Sequence, residues 1–336
     1  MSEERAAAVC VFDVSGVFQV GILRLRHRFA FALCGFARED TGEFTIIMIV
    51  IMMIANSNAA AGFALGSMAC WGVSDFIGGY ATRRANAFVL TTITHLSGTL
   101  LMLVLALASH AEFPHGVSIL WALAAGASGG GALAIFYRAL AQGRMGLTAP
   151  VAAVLGAAIP VAFAMTTEGL PGAITTVGFV LAVFGIWLIS RTEGGAKPEG
   201  IGAAMLSGVG FAGYFLFIKQ AGLAGGSPFW LAGTSRSAAF VLTAAIVALA
   251  PHFRGLTSSG VSLGVIAGFL DISGSVLFIR ASQSGRLDSA VVISSLYPAI
   301  TVLLARLFLH EHFSRWKVVG MAAALLAVPL IAVSSH

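Results

Sequence analysis

The stretch SSLYPAITVLLARLFLHEHF (294–313) is an apolar run interrupted by Pro298, by Arg306 and by the triplet His310, Glu311, His312. A soluble core helix rejects most of these insertions, because proline removes a backbone donor and an unpaired buried charge is very costly. In a bilayer each insertion has a place. Neighbouring helices or a cavity can satisfy the carbonyl that Pro298 leaves free, and the charged residues at the end of the run fall where long side chains reach the headgroups. The stretch therefore reads as one transmembrane helix over 288–309.

Working outward, the whole chain has the same solvent. Of its residues 58% are hydrophobic and 10% charged, with a mean hydropathy of +0.94, far from the mixture of a soluble domain. The charges cluster: five Arg and six Asp or Glu fall within residues 1–43, and the rest mostly punctuate apolar runs. The net charge of +5 does not point to nucleic acid, because basic pairs such as Arg83 and Arg84 sit between apolar runs, where they set membrane orientation. Cys10, Cys34 and Cys70 show no CxxC spacing, so neither a metal site nor a disulfide framework is expected. No GxxxxGK[ST] loop occurs, and no cofactor or ATP hydrolysis is expected.

Stretches of about 20 apolar residues, the length that crosses the hydrocarbon as a helix, recur ten times from Ala59 onward: 59–79, 87–108, 116–138, 146–166, 171–190, 199–219, 228–250, 258–280, 288–309 and 316–334. The polar stretch RTEGGAKPEG (191–200) divides them into two sets of five. The sets repeat each other. GFALGSMACW (62–71) lies over GAAMLSGVGF (202–211) at an offset of 140, and YRALAQGRMG (137–146) over IRASQSGRLD (279–288) at 142. Five is odd, so the duplicated unit enters the bilayer from opposite sides, giving an inverted repeat with a binding cavity near the midplane. The expected fold is all-α and polytopic, ten transmembrane helices in two inverted five-helix repeats. Residues 59–190 and 201–336 form the repeats, 191–200 the linker and 1–58 an N-terminal extension.

A proline-bearing helix that ends in a Glu near the interface, followed by a closing helix with Gly nine or ten residues later, occurs in each half. Glu311 is followed by Gly320 and Glu168 by Gly178. With WGVSDFIGGYATRR (71–84) and SSLYPAITVLLARLFLHE (294–311), this resembles the EamA-type transporters of the drug/metabolite transporter superfamily. The resemblance covers Ala59 to the C-terminus. It implies ten helices around a central cavity, alternating access, and export of a small metabolite, an amino-acid-like compound or a drug from a bacterial plasma membrane. The chain departs from the pattern at Gly156, where a proline is expected, and at His310-Glu311-His312, which replaces a more usual Gly-Glu-Arg.

Polar residues inside spans are costly and are the first candidates for function. His95 and Arg236 occupy equivalent places, since Phe88 lies over Phe229 at an offset of 141, and the resemblance makes Arg236 the ordinary form. Asp271 lies mid-span, with Gly129 as its repeat counterpart. A lone carboxylate in hydrocarbon favours its protonated form unless a cation compensates, which suits a proton-coupling site or a salt bridge to Arg236; the two are expected to act across the cavity, Arg236 binding an anionic group of the solute and Asp271 compensating it or carrying a proton. Asp75, four residues from the expected end of its span, is within reach of interfacial water. Trp71 and Tyr214 fall one turn apart when the halves are overlaid and could wall a cavity or simply pack. Pro298 marks a kink. Gly126 and Gly268, each in a GxxxG and superposed at 142, mark close helix packing. Glu168 and Glu311 are expected to be structural and solvated. The expected partners are a small-molecule substrate, the lipid bilayer and protons as coupling ion, with no nucleic acid.

Three other readings compete. GASG (126–129) has the GxSG form of an intramembrane serine protease, but the histidines after Ser128, namely His252, His310, His312 and His336, fall in connections or at helix ends. A lipid-linked sugar flippase needs a cavity open sideways to lipid, and a receptor or scaffold needs no cavity at all. An enzyme is not expected. Residues 1–43 have no place in the resemblance; the Arg-rich RLRHRFAFALCGFARED (24–40) reads as an amphipathic anchor, a targeting segment or the product of an upstream start, the last favoured because Met48, Met52 and Met53 precede the first span. Residues 1–52 are expected to be dispensable in a chain beginning at Met53. By the charge rule, Arg83, Arg84, Arg138, Arg144, Arg191 and Lys197 put the connections after spans one, three and five in the cytoplasm. The resemblance implies the opposite orientation, with both termini inside.

Overall fold

The computed structural model describes residues 59–83, 85–142, 145–190, 200–249, 258–309 and 314–333. The extension 1–58, Arg84, Arg144, the linker residues 191–199 and the triplet His310, Glu311, His312 lie outside the described residues, as does the side chain of Arg306.

The described residues form eleven α-helices: α1 Ala59–Thr82, α2 Ala87–Ala108, α3 Val117–Gln142, α4 Met145–Thr167, α5 Ala173–Ser190, α6 Ile201–Leu223, α7 Pro228–Leu249, α8 Ser258–Ser284, α9 Leu287–Ser294, α10 Tyr297–Leu309 and α11 Arg315–Val333. A helix closes its own backbone hydrogen bonds, which an apolar solvent requires of any spanning segment. Among the described residues seven helical stretches are long and apolar enough to cross a membrane: α1, α2, α3, α6, α7, α8 and the α9–α10 run. Shorter apolar helices lie within α4 and α5. The outer surface is apolar too, with Leu100, Val104 and Leu107 of α2 and Val177, Val180 and Trp187 of α5 exposed.

Local signals fix the ends. Asn86 precedes α2 and accepts a hydrogen bond from the Phe88 N–H at 2.9 Å, satisfying one of the free donors of the first turn. Gly200, at φ 85°, takes a left-handed conformation before α6 that other residues resist.

The ninth expected span is broken rather than continuous. Pro298 cannot donate to the carbonyl four residues back, and its ring crowds that carbonyl. That carbonyl belongs to Ser294, where α9 stops; the chain turns through Ser295 and Leu296 and resumes as α10. Pro298 then stands in the first turn of α10, where the missing N–H costs little. In α4, by contrast, the helix runs unbroken through Pro160 and Gly156.

Helix packing is arranged in matched pairs. α3 lies on α6 as α8 lies on α1; α4 packs on α6 as α9 and α10 pack on α1; α3 meets α7 as α8 meets α2. α2 also packs on α7, and α5 on α11. The closest approaches need glycine. A Cβ on Gly126 of α3 would strike the Ser235 carbonyl of α7, and one on Gly268 of α8 would strike the Thr94 carbonyl and the Ser97 hydroxyl of α2. Thr94 and Ser235 are separated by the same 141 residues as His95 and Arg236.

Candidate functional site

The central cavity lies among α1, α3, α4, α6, α7, α8 and the start of α10, and has a volume of about 540 Å³ counting its open mouth. Five of the polar and aromatic residues singled out in the sequence line it: Trp71, Asp75, Tyr214, Arg236 and Asp271. His95 does not line it, but stands behind Arg236.

One turn of α8 organises the polar wall. Arg236 reaches from α7, placing Nη2 at 2.7 Å from Oδ2 of Asp271 and donating from the same nitrogen to Ser275 Oγ at 2.7 Å. The contact with Asp271 is an ion pair without an aligned hydrogen bond, so Oδ2 keeps no other protein donor among the described residues. Ser275 Oγ in turn donates to the Asp271 carbonyl at 3.1 Å. Arg236 Nη1 lies 3.5 Å from His95 Nδ1. A guanidinium only donates, so Nδ1 must be the acceptor and His95 the neutral tautomer protonated at Nε2. The two bases that the duplication made equivalent therefore meet at the α2–α7 contact.

From α1, Trp71 donates its indole N–H to the Asp271 carbonyl at 3.1 Å. It can come this close because position 274 is glycine; a Cβ there would stand 2.7 Å from the indole. Trp71 meets Tyr214 edge to face at 6.4 Å and packs on Phe215 and Phe278 at 5.8 and 5.7 Å. Such aromatic pairs add stability beyond their buried area.

Asp75 departs from its expected place. α1 continues past Gly78 and Gly79 to Thr82, so Asp75 lies a further turn inside and is only 5% exposed. Tyr137 of α3 packs against Gly78, and a Cβ there would overlap its ring. The neighbouring Ser74 donates to the Ala267 carbonyl at 2.8 Å, and its Oγ lies 3.2 Å from Tyr137 Oη.

Sequence reasoning missed Ser275, Ser295 and Tyr297 as members of the site. Ser275 had a usable signal, standing four residues after Asp271 on the same helix face. Ser295 and Tyr297 line the cavity because the α9–α10 break turns them inward. Among the described residues Tyr214 Oη, Ser295 Oγ and Tyr297 Oη have no hydrogen-bond partner in the protein. Ser128 of the GASG stretch has one: it donates to the Gly210 carbonyl at 2.8 Å.

A second polar group ties helix ends together. Glu168, just after α4, lies 3.4 Å from Lys219 of α6 and accepts the Leu287 N–H at the start of α9 at 3.0 Å. Lys219 donates to the Ser282 carbonyl at 2.9 Å. Arg286 donates to the carbonyls of Glu168 and Gly169 at 2.9 and 2.7 Å and pairs with Asp288 at 2.8 Å. Among the described residues no group of three or more His, Cys, Asp or Glu could hold a metal ion.

Comparison with known proteins adds three likenesses. The model of the EamA-like transporter family matches residues 198–333, which hold α6 to α11. An uncharacterized protein of Methanocaldococcus jannaschii is 32% identical over 71 residues, covering 21% of this chain and 52% of that protein. The chain thus spans about half the length of that relative. A protein crystal structure matches with a TM-score of 0.63 at 19% identity, covering 82% of this chain and 97% of the other, and shares the fold.

Proposed function

Residues 198–333 belong to the EamA-like transporter family of the drug/metabolite transporter superfamily, and from this premise we propose that the chain is a secondary transporter moving a small organic solute by alternating access. The observation that carries the proposal is the buried Arg236–Asp271 pair in the wall of the central cavity. Two opposite charges removed from water on neighbouring helices contribute little net stability, and ionisable residues inside a membrane protein ordinarily mark a solute or proton path.

In the proposed architecture ten spans form two inverted five-helix repeats, with the α9–α10 run as one span. The matched helix packing supports it, because exchanging α1 with α6, α2 with α7, α3 with α8, α4 with α9–α10, and α5 with α11 carries each of those contacts into another or onto itself. The cavity residues come from both halves. The discontinuity at Ser295 is of the kind transporters place at midplane sites, where unwound backbone faces a cavity rather than lipid.

The polar wall then works as a unit. Asp271 carries the coupling proton, and Arg236 holds it when ionised and lets go when it is protonated. Asp271 and Ser275 already take the charge and donors of the guanidinium, so this role replaces that of gripping an anionic group of the solute. Export from a bacterial plasma membrane is the direction and place that the family resemblance implies.

Reconstitution tests the reading. Liposomes containing the protein and loaded with a metabolite extract should show saturable, protein-dependent loss of particular soluble compounds, absent with Arg236→Ala. Movement of a lipid-linked sugar between leaflets without flux of any soluble compound would replace this reading with the flippase.

A further inference from the structure

We infer that the cavity selects an organic cation, an amine or quaternary ammonium carrying an apolar or aromatic body, and that Asp75 is its anionic partner. This deepens the transporter reading and rests on it for the statement that the cation is moved.

The charge balance of the cavity comes first. The described residues that line it include one cationic side chain, Arg236, and two carboxylates, Asp75 and Asp271. Arg236 is taken up by Asp271 at 2.7 Å. His95, behind Arg236, accepts from the guanidinium and so adds no charge of its own. Asp75, 5% exposed and carried on α1 one turn from Trp71, is left as a lining carboxyl group with no cationic side chain beside it among the described lining residues, so it is a cation entering the cavity that compensates its charge. An anionic solute would meet a guanidinium already paired and no second cation, and its own charge would go uncompensated away from water.

The rest of the lining suits the same class. Trp71, Phe211, Tyr214, Phe215 and Tyr297 present aromatic surface to the cavity, and the negative face of an aromatic ring attracts a cation, Trp best of all. Tyr214 Oη, Ser295 Oγ and Tyr297 Oη are buried without protein partners, and each hydroxyl oxygen can accept a hydrogen bond from an ammonium N–H. The aromatic surface accounts for an apolar body; Asp75 and the hydroxyls account for a positive head.

Three probes of matched shape decide it: 3-phenylpropylammonium, 3-phenylpropanamide and 3-phenylpropanoate, titrated calorimetrically at pH 7 into the purified full chain. The cation should bind at least tenfold tighter than the amide, and the anion more weakly than either. Asp75→Asn should erase the advantage of the cation and leave the amide unchanged, and Asp75→Glu should restore it. Tighter binding of the anion, or a cation preference that survives Asp75→Asn, overturns the inference. If Asp75→Asn does not fold, the order of the probes on the unaltered protein still decides. Flux separates the two levels: cation binding without cation flux in proteoliposomes defeats the transporter reading and leaves the charge assignment standing, whereas saturable flux of other solutes with no cation binding does the reverse.

Discussion

The Arg236–Asp271 pair at the cavity and the group formed by Glu168, Lys219, Arg286 and Asp288 at the helix ends use the same chemistry in different solvents. In the cavity both partners are almost closed off, at 8% and 7% side-chain exposure. At the ends exposure is graded: Arg286 is 27% exposed against a fully buried Asp288, and Lys219 and Glu168 are 13% and 23% exposed. Water can replace a lost partner where it reaches and cannot where it does not. A charge in the cavity wall is thus committed to its partner or to a solute, while a charge at a helix end can give up its partner cheaply.

Breaking the central pair should have the largest effect. Arg236→Ala or Asp271→Ala leaves the other charge stranded, and loss of one partner of a buried pair costs roughly 3–5 kcal/mol. Each variant should lose flux in proteoliposomes and unfold at a clearly lower temperature in detergent. Arg236→Leu combined with Asp271→Leu should regain most of the thermal stability and none of the flux. If the single variants melt with the unaltered protein, water reaches the pair and the contrast with the helix ends disappears.

A smaller change sharpens the assignment. Asp271→Asn keeps the shape of the side chain but carries no exchangeable charge. It should abolish accumulation of solute against its gradient while leaving downhill exchange, and it should flatten the dependence of flux on the proton gradient. Uphill accumulation with unchanged pH dependence would remove Asp271 from coupling and leave it the role of holding Arg236.

The central region was more legible in the sequence than the ends, for a physical reason. Hydrocarbon tolerates few charges, so Arg236, His95 and Asp271 stood out against the apolar runs, and the duplication put His95 and Arg236 at equivalent places, though only the structure brings them into contact. Hydroxyl groups carry no such signal; Ser275, Ser295 and Tyr297 are ordinary residues in an apolar helix until a neighbour or a chain break turns them inward. Asp75 read as four residues from the end of its span because the apolar stretch was bounded at 79, whereas Gly78 makes room for Tyr137 and α1 continues to Thr82. Pro298 announced a distortion, but that α9 ends at Ser294 follows from backbone geometry at that turn. The Glu168–Lys219 contact joins residues distant in the chain, and no local pattern encodes it.

Between the two extremes stands Arg286. Its loss would leave Asp288 buried, yet that carboxylate also accepts the Ser289 N–H at 2.6 Å and lies in the first turn of α9, where the helix dipole favours a negative charge. Arg286→Gln should therefore lower thermal stability by less than either single change in the central pair. Flux should fall only a few-fold, because the lost bonds to the Glu168 and Gly169 carbonyls position helix ends rather than cavity groups. An Arg286→Gln protein as inactive as Arg236→Ala would place the end group in the transport cycle itself.

The smallest effect is expected at Lys219 and Glu168. Their 3.4 Å contact is partly open to water, and exposed pairs are typically worth about 0–1 kcal/mol. Lys219→Met keeps the apolar stem along α6 and removes the charge together with the bond to the Ser282 carbonyl, a group that water can then satisfy at this helix end. Glu168→Gln keeps an oxygen able to accept the Leu287 N–H. Both variants should carry flux within a few-fold of the unaltered protein and melt close to it, with differences that shrink further in high salt as screening weakens the pair. Complete loss of flux in either, with normal insertion, would mean that this end of the molecule is dry during some step of transport. The difference in solvent between the two regions would then belong to one conformation rather than to the cycle.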